Sequence, residues 1–159
     1  MALRFDLTPP VRRVMQHATD AAVRLGHEAL GNNHLLFGIL HEEEGIAFAL
    51  LQQLGCDASS LKRAVEKTLA ETDKAASKGG RIRVAKEAER AMKDMDEEAR
   101  QLQHEKVGTH HLLLALLRRK RFSLFKGPSG TAGVRRFFQE YGGITYERVR
   151  ALVLEQDVS

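Results

Sequence analysis

Apolar residues in the first third of the chain recur at helical spacing. Val11, Val14, Met15, Ala18, Ala22 and Leu25 follow one another at steps of three and four, which places them on one face of a helix. Thr8 is a suitable cap for its start, Pro9 and Pro10 fit the first turn, and Gly26 ends it. Asn32 or Asn33 can cap a second, shorter and more uniformly apolar helix over 34–40. Gly45 separates this from a third over 46–54, and Gly55 closes that one. Asp57 or Ser59 starts a fourth, running through Leu61, Val65 and Leu69. The second half predicts helices near 84–102, 110–120, 131–141 and 145–156, the last capped by Thr145 without a capping box. β-branched residues form no alternating runs, so a sheet is not expected.

The pattern repeats. The segment 25–36 (LGHEALGNNHLL) returns as 102–113 (LQHEKVGTHHLL). The offset is 77 residues and holds without a gap from Arg13 with Arg90 to Leu40 with Leu117. After Arg118 the register shifts. Leu54-Gly55 matches Tyr141-Gly142 at an offset of 87, which places a ten-residue insertion near 121–130, around Gly127-Pro128-Ser129-Gly130. The chain divides into a first repeat over about 5–72, a small polar linker over about 73–80, and a second repeat over about 81–156. The expected fold is all-α, with eight helices in two pseudo-symmetric four-helix repeats forming a single domain.

These residues resemble the Clp N-terminal domain family, the double repeat at the front of ClpC- and ClpA-type unfoldases. The family's repeat carries Leu-Gly-His, Gly-Thr-Glu-His-Leu-Leu, Gly-Glu-Gly-Ile-Ala and Leu-Gly. The first repeat here has Leu25-Gly26-His27, Gly31-Asn32-Asn33-His34-Leu35-Leu36, Glu44-Gly45-Ile46-Ala47 and Leu54-Gly55. The second has Leu102-Gln103-His104 and Gly108-Thr109-His110-His111-Leu112-Leu113. The resemblance implies a non-catalytic module that holds adaptor proteins, or unfolded and degron-bearing substrates, for the ATP-dependent Clp protease machinery. In ClpC-type members it also implies capture of phosphoarginine, with the Glu of Gly-Thr-Glu-His receiving the guanidinium. This chain has Asn33 and His110 at those two positions, and neither is a fixed negative charge. The family's Thr at the repeat start is matched by Thr8 but replaced by Ala85. Tight binding of phosphoarginine is therefore not expected.

The chain has 159 residues, 43% hydrophobic and 29% charged. It has no signal-like apolar core and no stretch approaching the ~18 apolar residues of a membrane span. The lone Cys56 excludes an internal disulfide and fits a reducing, cytoplasmic setting; its position at a helix junction reads as an inert thiol. No Gly-x-x-x-x-Gly-Lys-Ser/Thr phosphate cradle occurs, so nucleotide hydrolysis and other enzyme activity are not expected of this chain. The starting Met and the short tail after Leu154 favour a free-standing protein over a fragment of a larger unfoldase.

Charge is uneven. Residues 118–136 hold seven basic residues and no acidic one, including Arg118, Arg119 and Arg121. This patch is expected to face an acidic protein partner; nucleic acid is the alternative, ranked lower because no nucleic-acid motif accompanies it. Contact residues for a protein or peptide are then Thr8, Arg13, Asn33, Thr109, His110, Arg118, Arg119 and Arg121. The histidine pairs His27/His34 and His104/His111 flank interhelix loops and are expected to hydrogen-bond backbone there; neither metal nor cofactor is expected. Asp94, Asp96, Glu97 and Glu98 are expected on an exposed arc. Met15, Met92 and Met95 are expected in the core.

Overall fold

The computed structural model describes residues 6–71, 82–118 and 132–156. The expected linker and insertion lie outside them. The first repeat contains a two-residue strand β1 (Asp6–Leu7), helix α1 (Pro9–Arg24), strand β2 (Ala29–Leu30) and helices α2 (Asn32–His41), α3 (Ile46–Gln53) and α4 (Ala58–Glu71). The second contains β3 (Arg83–Val84), α5 (Lys86–Gln101), β4 (Lys106–Val107), α6 (Thr109–Leu117), α7 (Ala132–Glu140) and α8 (Tyr146–Gln156). The described residues thus form eight helices in two pseudo-symmetric sets of four.

The two centre helices explain the layering. Helix α6 is apolar all round, and every one of its residues is buried; α2 is buried from His34 to Leu40. A helix without a polar face needs cover on all sides. The amphipathic helices supply it: α1 packs on α2 and α5 on α6, while the third helix of each repeat crosses to the other, α3 onto α6 and α7 onto α2. One continuous core results, from Val11 and Leu36 through Leu113 to Phe138 and Val153. Burying each leucine of this core stabilises the fold by about 1.5–3 kcal/mol. Gly38 marks the closest approach of α1 and α2, since a Cβ there would lie 2.4 Å from the carbonyl oxygen of Val14. Met95 is fully buried, and Met15 and Met92 pack against the core from its edge.

Short strands, absent from the expectation, tie the repeats together. β1 pairs in parallel with β4 (Asp6 with Lys106, Leu7 with Val107), and β2 with β3 (Ala29 with Arg83, Leu30 with Val84). Both ladders join one repeat to the other, and the offset of 77 interchanges them. Two-residue strands carry no alternation to read, which is why the sequence pattern misses them.

Two start points also shift. Helix α5 begins at Lys86 rather than 84 because Arg83 and Val84 are taken by β3. Helix α2 is capped at Gly31, not by an asparagine: the side chain of His34 reaches back to accept the Gly31 N–H at 2.9 Å. Asp57 and Thr145 cap as expected, accepting the N–H groups of Ser60 and Arg148.

Candidate peptide-binding junctions between the repeats

Each strand pair delivers one helix start beside another. At the first junction the Thr8 N–H donates to the carbonyl of Val107 at 3.0 Å, extending the β1–β4 ladder. Thr8 then opens α1 from an extended backbone, its side chain making no capping bond, while Gly108 opens α6 next to it. At the second junction the Ala85 N–H donates to the carbonyl of Leu30 at 2.9 Å, so α5 opens beside Gly31 and α2. The first turns of two helices therefore meet twice, each with backbone N–H groups that have no partner within the helix.

Histidines hold both loops in shape. The Gly31 N–H can only donate, so Nδ1 of His34 accepts and the ring proton sits on Nε2. That Nε2–H donates to Nδ1 of His27 at 2.8 Å. The second repeat repeats the relay: Gly108 N–H to His111 Nδ1 at 2.8 Å, and His111 Nε2–H to His104 Nδ1 at 2.7 Å. Burial pushes the His34 pKa down to about 4 and the His111 pKa to about 2, with the neighbouring histidines adding to the effect. His34 and His111 thus accept from loop backbone, as expected of the pairs, and each is also joined ring to ring with His27 or His104.

The sequence-marked contact residues that the structure describes separate into three groups. Thr8 and Asn33 lie at the two junctions and are half-exposed. Thr109 and His110 lie at the first junction but are buried, at 2% and 1% exposure. Thr109 faces across the repeats: its Oγ1 accepts the Ala47 N–H at 2.9 Å, capping the start of α3. His110 takes the place in α6 that Asn33 takes in α2, and burial pushes its pKa down to about 4. Arg13 and Arg118 are held in ion pairs. Arg13 bridges α1 to Glu42, at 2.6 Å, and Glu44, at 3.4 Å. Arg118 binds Asp94 at 3.0 Å and Glu98 at 3.1 Å. Arg119 and Arg121 lie outside the described residues.

The exposed acidic arc expected on α5 is not what forms. Glu98 is fully buried, and Asp96 nearly so. Tyr146 of α8 and Arg118 pack onto Glu98, the Tyr146 hydroxyl donating to its carboxylate at 2.8 Å. Desolvation raises the Glu98 pKa, against the hydrogen bond and the arginine charge. Cys56 is buried, and its thiol is pushed up to about 11 by desolvation, in keeping with an inert role.

One junction residue escapes the sequence reading. Glu87, exposed on the first turn of α5, brings Oε1 to 2.8 Å from where a Cβ on Gly31 would stand. The second junction therefore carries a carboxylate, supplied by α5 rather than by α2. The offset pairs Glu87 with Pro10, so the repeat gives no cue to it. Among the described residues, His104, His110 and His111 are the one group of three side chains with metal-ligand spacing.

The sequence model of the Clp repeat N-terminal domain matches residues 6–126. The chaperone protein ClpB of Oceanobacillus iheyensis is 36% identical over 111 residues, 70% of this chain and 13% of that protein. The ATP-binding subunit ClpC of the Clp protease from Staphylococcus aureus is 35% identical over 112 residues, with the same coverage. The chain thus spans a small part of the length of these relatives. The Hsp104 N-terminal domain of Candida albicans superimposes with a TM-score of 0.74 at 18% identity, covering 97% of this chain and 93% of that one. The N-terminal domain of ClpD from Arabidopsis thaliana does so with 0.69 at 17% identity, covering 100% and 98%. With eight helices in two interlocked repeats and this match across most of its length, the chain belongs to the Clp repeat N-terminal domain family.

Proposed function

We propose that this chain is a non-catalytic recognition module, which holds adaptor or substrate polypeptides for an ATP-dependent Clp unfoldase or protease. The observation that carries the reading is the pair of interlocked junctions. Each offers a rigid strand end, two helix starts and half-exposed polar side chains, the means by which extended peptides are held without chemistry. Its relatives, a chaperone and an ATP-binding subunit of a protease, support a role in such a machine. No helix among the described residues is long and apolar enough to cross a membrane.

The junctions also argue against tight capture of phosphoarginine. Asn33 carries no charge, and His110 is buried and neutral, so neither motif position supplies the charge-assisted, bidentate acceptor, and the carboxylate of Glu87 at the second junction stands on α5 instead. Calorimetry with free phosphoarginine is expected to show no saturable binding in the micromolar range; clear saturation there would reverse this point. The recognition reading itself is tested by adding unfolded casein to the isotope-labelled protein. Amide shifts confined to residues 8, 31–33, 85–87 and 108–109 are expected. Shifts elsewhere, or none at all, would remove the junctions as the binding surface.

A further inference from the structure

His110 is 1% exposed, yet neither of its ring nitrogens meets a hydrogen-bond partner. Native proteins seldom bury an imidazole in this state unless something else engages it. Its ring packs 3.9 Å from that of His111 and 5.6 Å from that of His104, centre to centre, and His104 stands 4.9 Å from His111. One donor nitrogen from each lies within 4.8 Å of the other two. We propose that His104, His110 and His111 form a site for a divalent transition-metal ion, present in the second repeat and absent from the first.

The donor set selects the ion. Three imidazoles suit zinc, copper or nickel rather than calcium or magnesium, and three ligands leave a fourth position for water. Around zinc, tetrahedral nitrogens at ~2.0–2.1 Å stand about 3.4 Å apart, so the rings close together by about 1.4 Å at most. Gly108 makes the room: a Cβ there would fall 2.6 Å from Cε1 of His110. His104 is half-exposed and gives the ion a way in from solvent. In the first repeat Asn33 stands where His110 does, so His27 and His34 have no third imidazole.

The proton must be accounted for. His111 accepts the Gly108 N–H at Nδ1 and carries its proton on Nε2, shared with Nδ1 of His104. Nε2 can ligate only once that proton has left it. The proton moves to Nδ1 of the same ring, and the Gly108 amide gives up its acceptor. Metal uptake is thereby coupled to loosening of the first turn of α6, with no net release of protons.

Zinc titrated into chelator-stripped protein, followed by calorimetry, is expected to show one saturable equivalent. His110→Asn, which copies the first repeat, should weaken binding at least tenfold. No saturable binding by the unaltered chain, or undiminished binding by the variant, overturns the proposal. A readout without mutation guards against a misfolded variant. In long-range nitrogen–proton spectra of the histidine rings, zinc should shift His104, His110 and His111 and move the His111 proton from Nε2 to Nδ1. His27 and His34 should stay in place. Shifts of His27 and His34 instead, or of no ring, overturn it as well.

Discussion

At the scale of single residues, the two repeats solve one turn at different cost. Helix α1 leaves through Gly26 with φ +71°, and α5 through Gln103 with φ +59°. Left-handed backbone costs a side-chain-bearing residue about 1–2 kcal/mol, partly offset because it is less flexible than glycine when unfolded. Gln103→Gly is therefore expected to stabilise the protein by about 0.5 kcal/mol, read from the urea midpoint; a lower midpoint would show that Gln103 makes contacts worth more than its strain. The buried histidines set the response to acid. The His34 pKa lies at about 4 in the folded state, below its ordinary value of 6.5. Between these values the unfolded chain binds the extra proton, so stability falls as pH drops from 6.5 to 4. The steepest slope is about 1.4 kcal/mol per pH unit for each such group. His110 and His111 act in the same direction. Urea midpoints at pH 7, 6 and 5, taken with chelator present, should fall together with pH; a flat series would mean that these rings are solvated.

At the scale of elements, helices were legible and their partners were not. Periodicity, Gly26, Gly45, Gly55 and Pro9-Pro10 place the helices of the first repeat to within about two residues, because these signals are local. The strands, the burial of Glu98 and the cap from Thr109 all depend on residues distant in sequence, 48 positions away for Tyr146 on Glu98 and 62 for Thr109 on Ala47. Thr109 reads as a contact residue because it stands in a recognisable motif, while its hydroxyl is already committed to Ala47. Arg118 reads as part of a basic patch facing an acidic partner because the sequence does not show that Asp94 and Glu98 of the same chain face it. Thr109→Val keeps the shape and removes the acceptor. It should cost about 1–2 kcal/mol and speed hydrogen exchange at Ala47 while leaving the far end of α3 unchanged. Equal loss of protection throughout the molecule would mean that the effect is global and not a lost cap.

At the scale of the whole molecule, neither repeat encloses its own core. α3 lies on α6, α7 lies on α2, and each strand pair takes one strand from each side. A fragment covering 6–71 leaves α2 without α5, α6 and α7, and one covering 82–156 leaves α6 without α2 and α3. Each fragment alone is expected to lack a cooperative urea transition by circular dichroism, while the intact chain gives one transition. A sharp transition from either fragment would show that the interlocking is not needed for folding.

The interlocking also has the form of an isologous contact, in which the same patch serves both sides. In a dimer of identical subunits, any change at such a patch occurs twice. Here both sides sit on one covalent chain, so a change occurs once. Asparagine can stand at 33 while histidine stands at 110, and a carboxylate can flank Gly31 with none in the matching place. A mirrored frame thus carries two unlike mouths, each free to acquire its own taste.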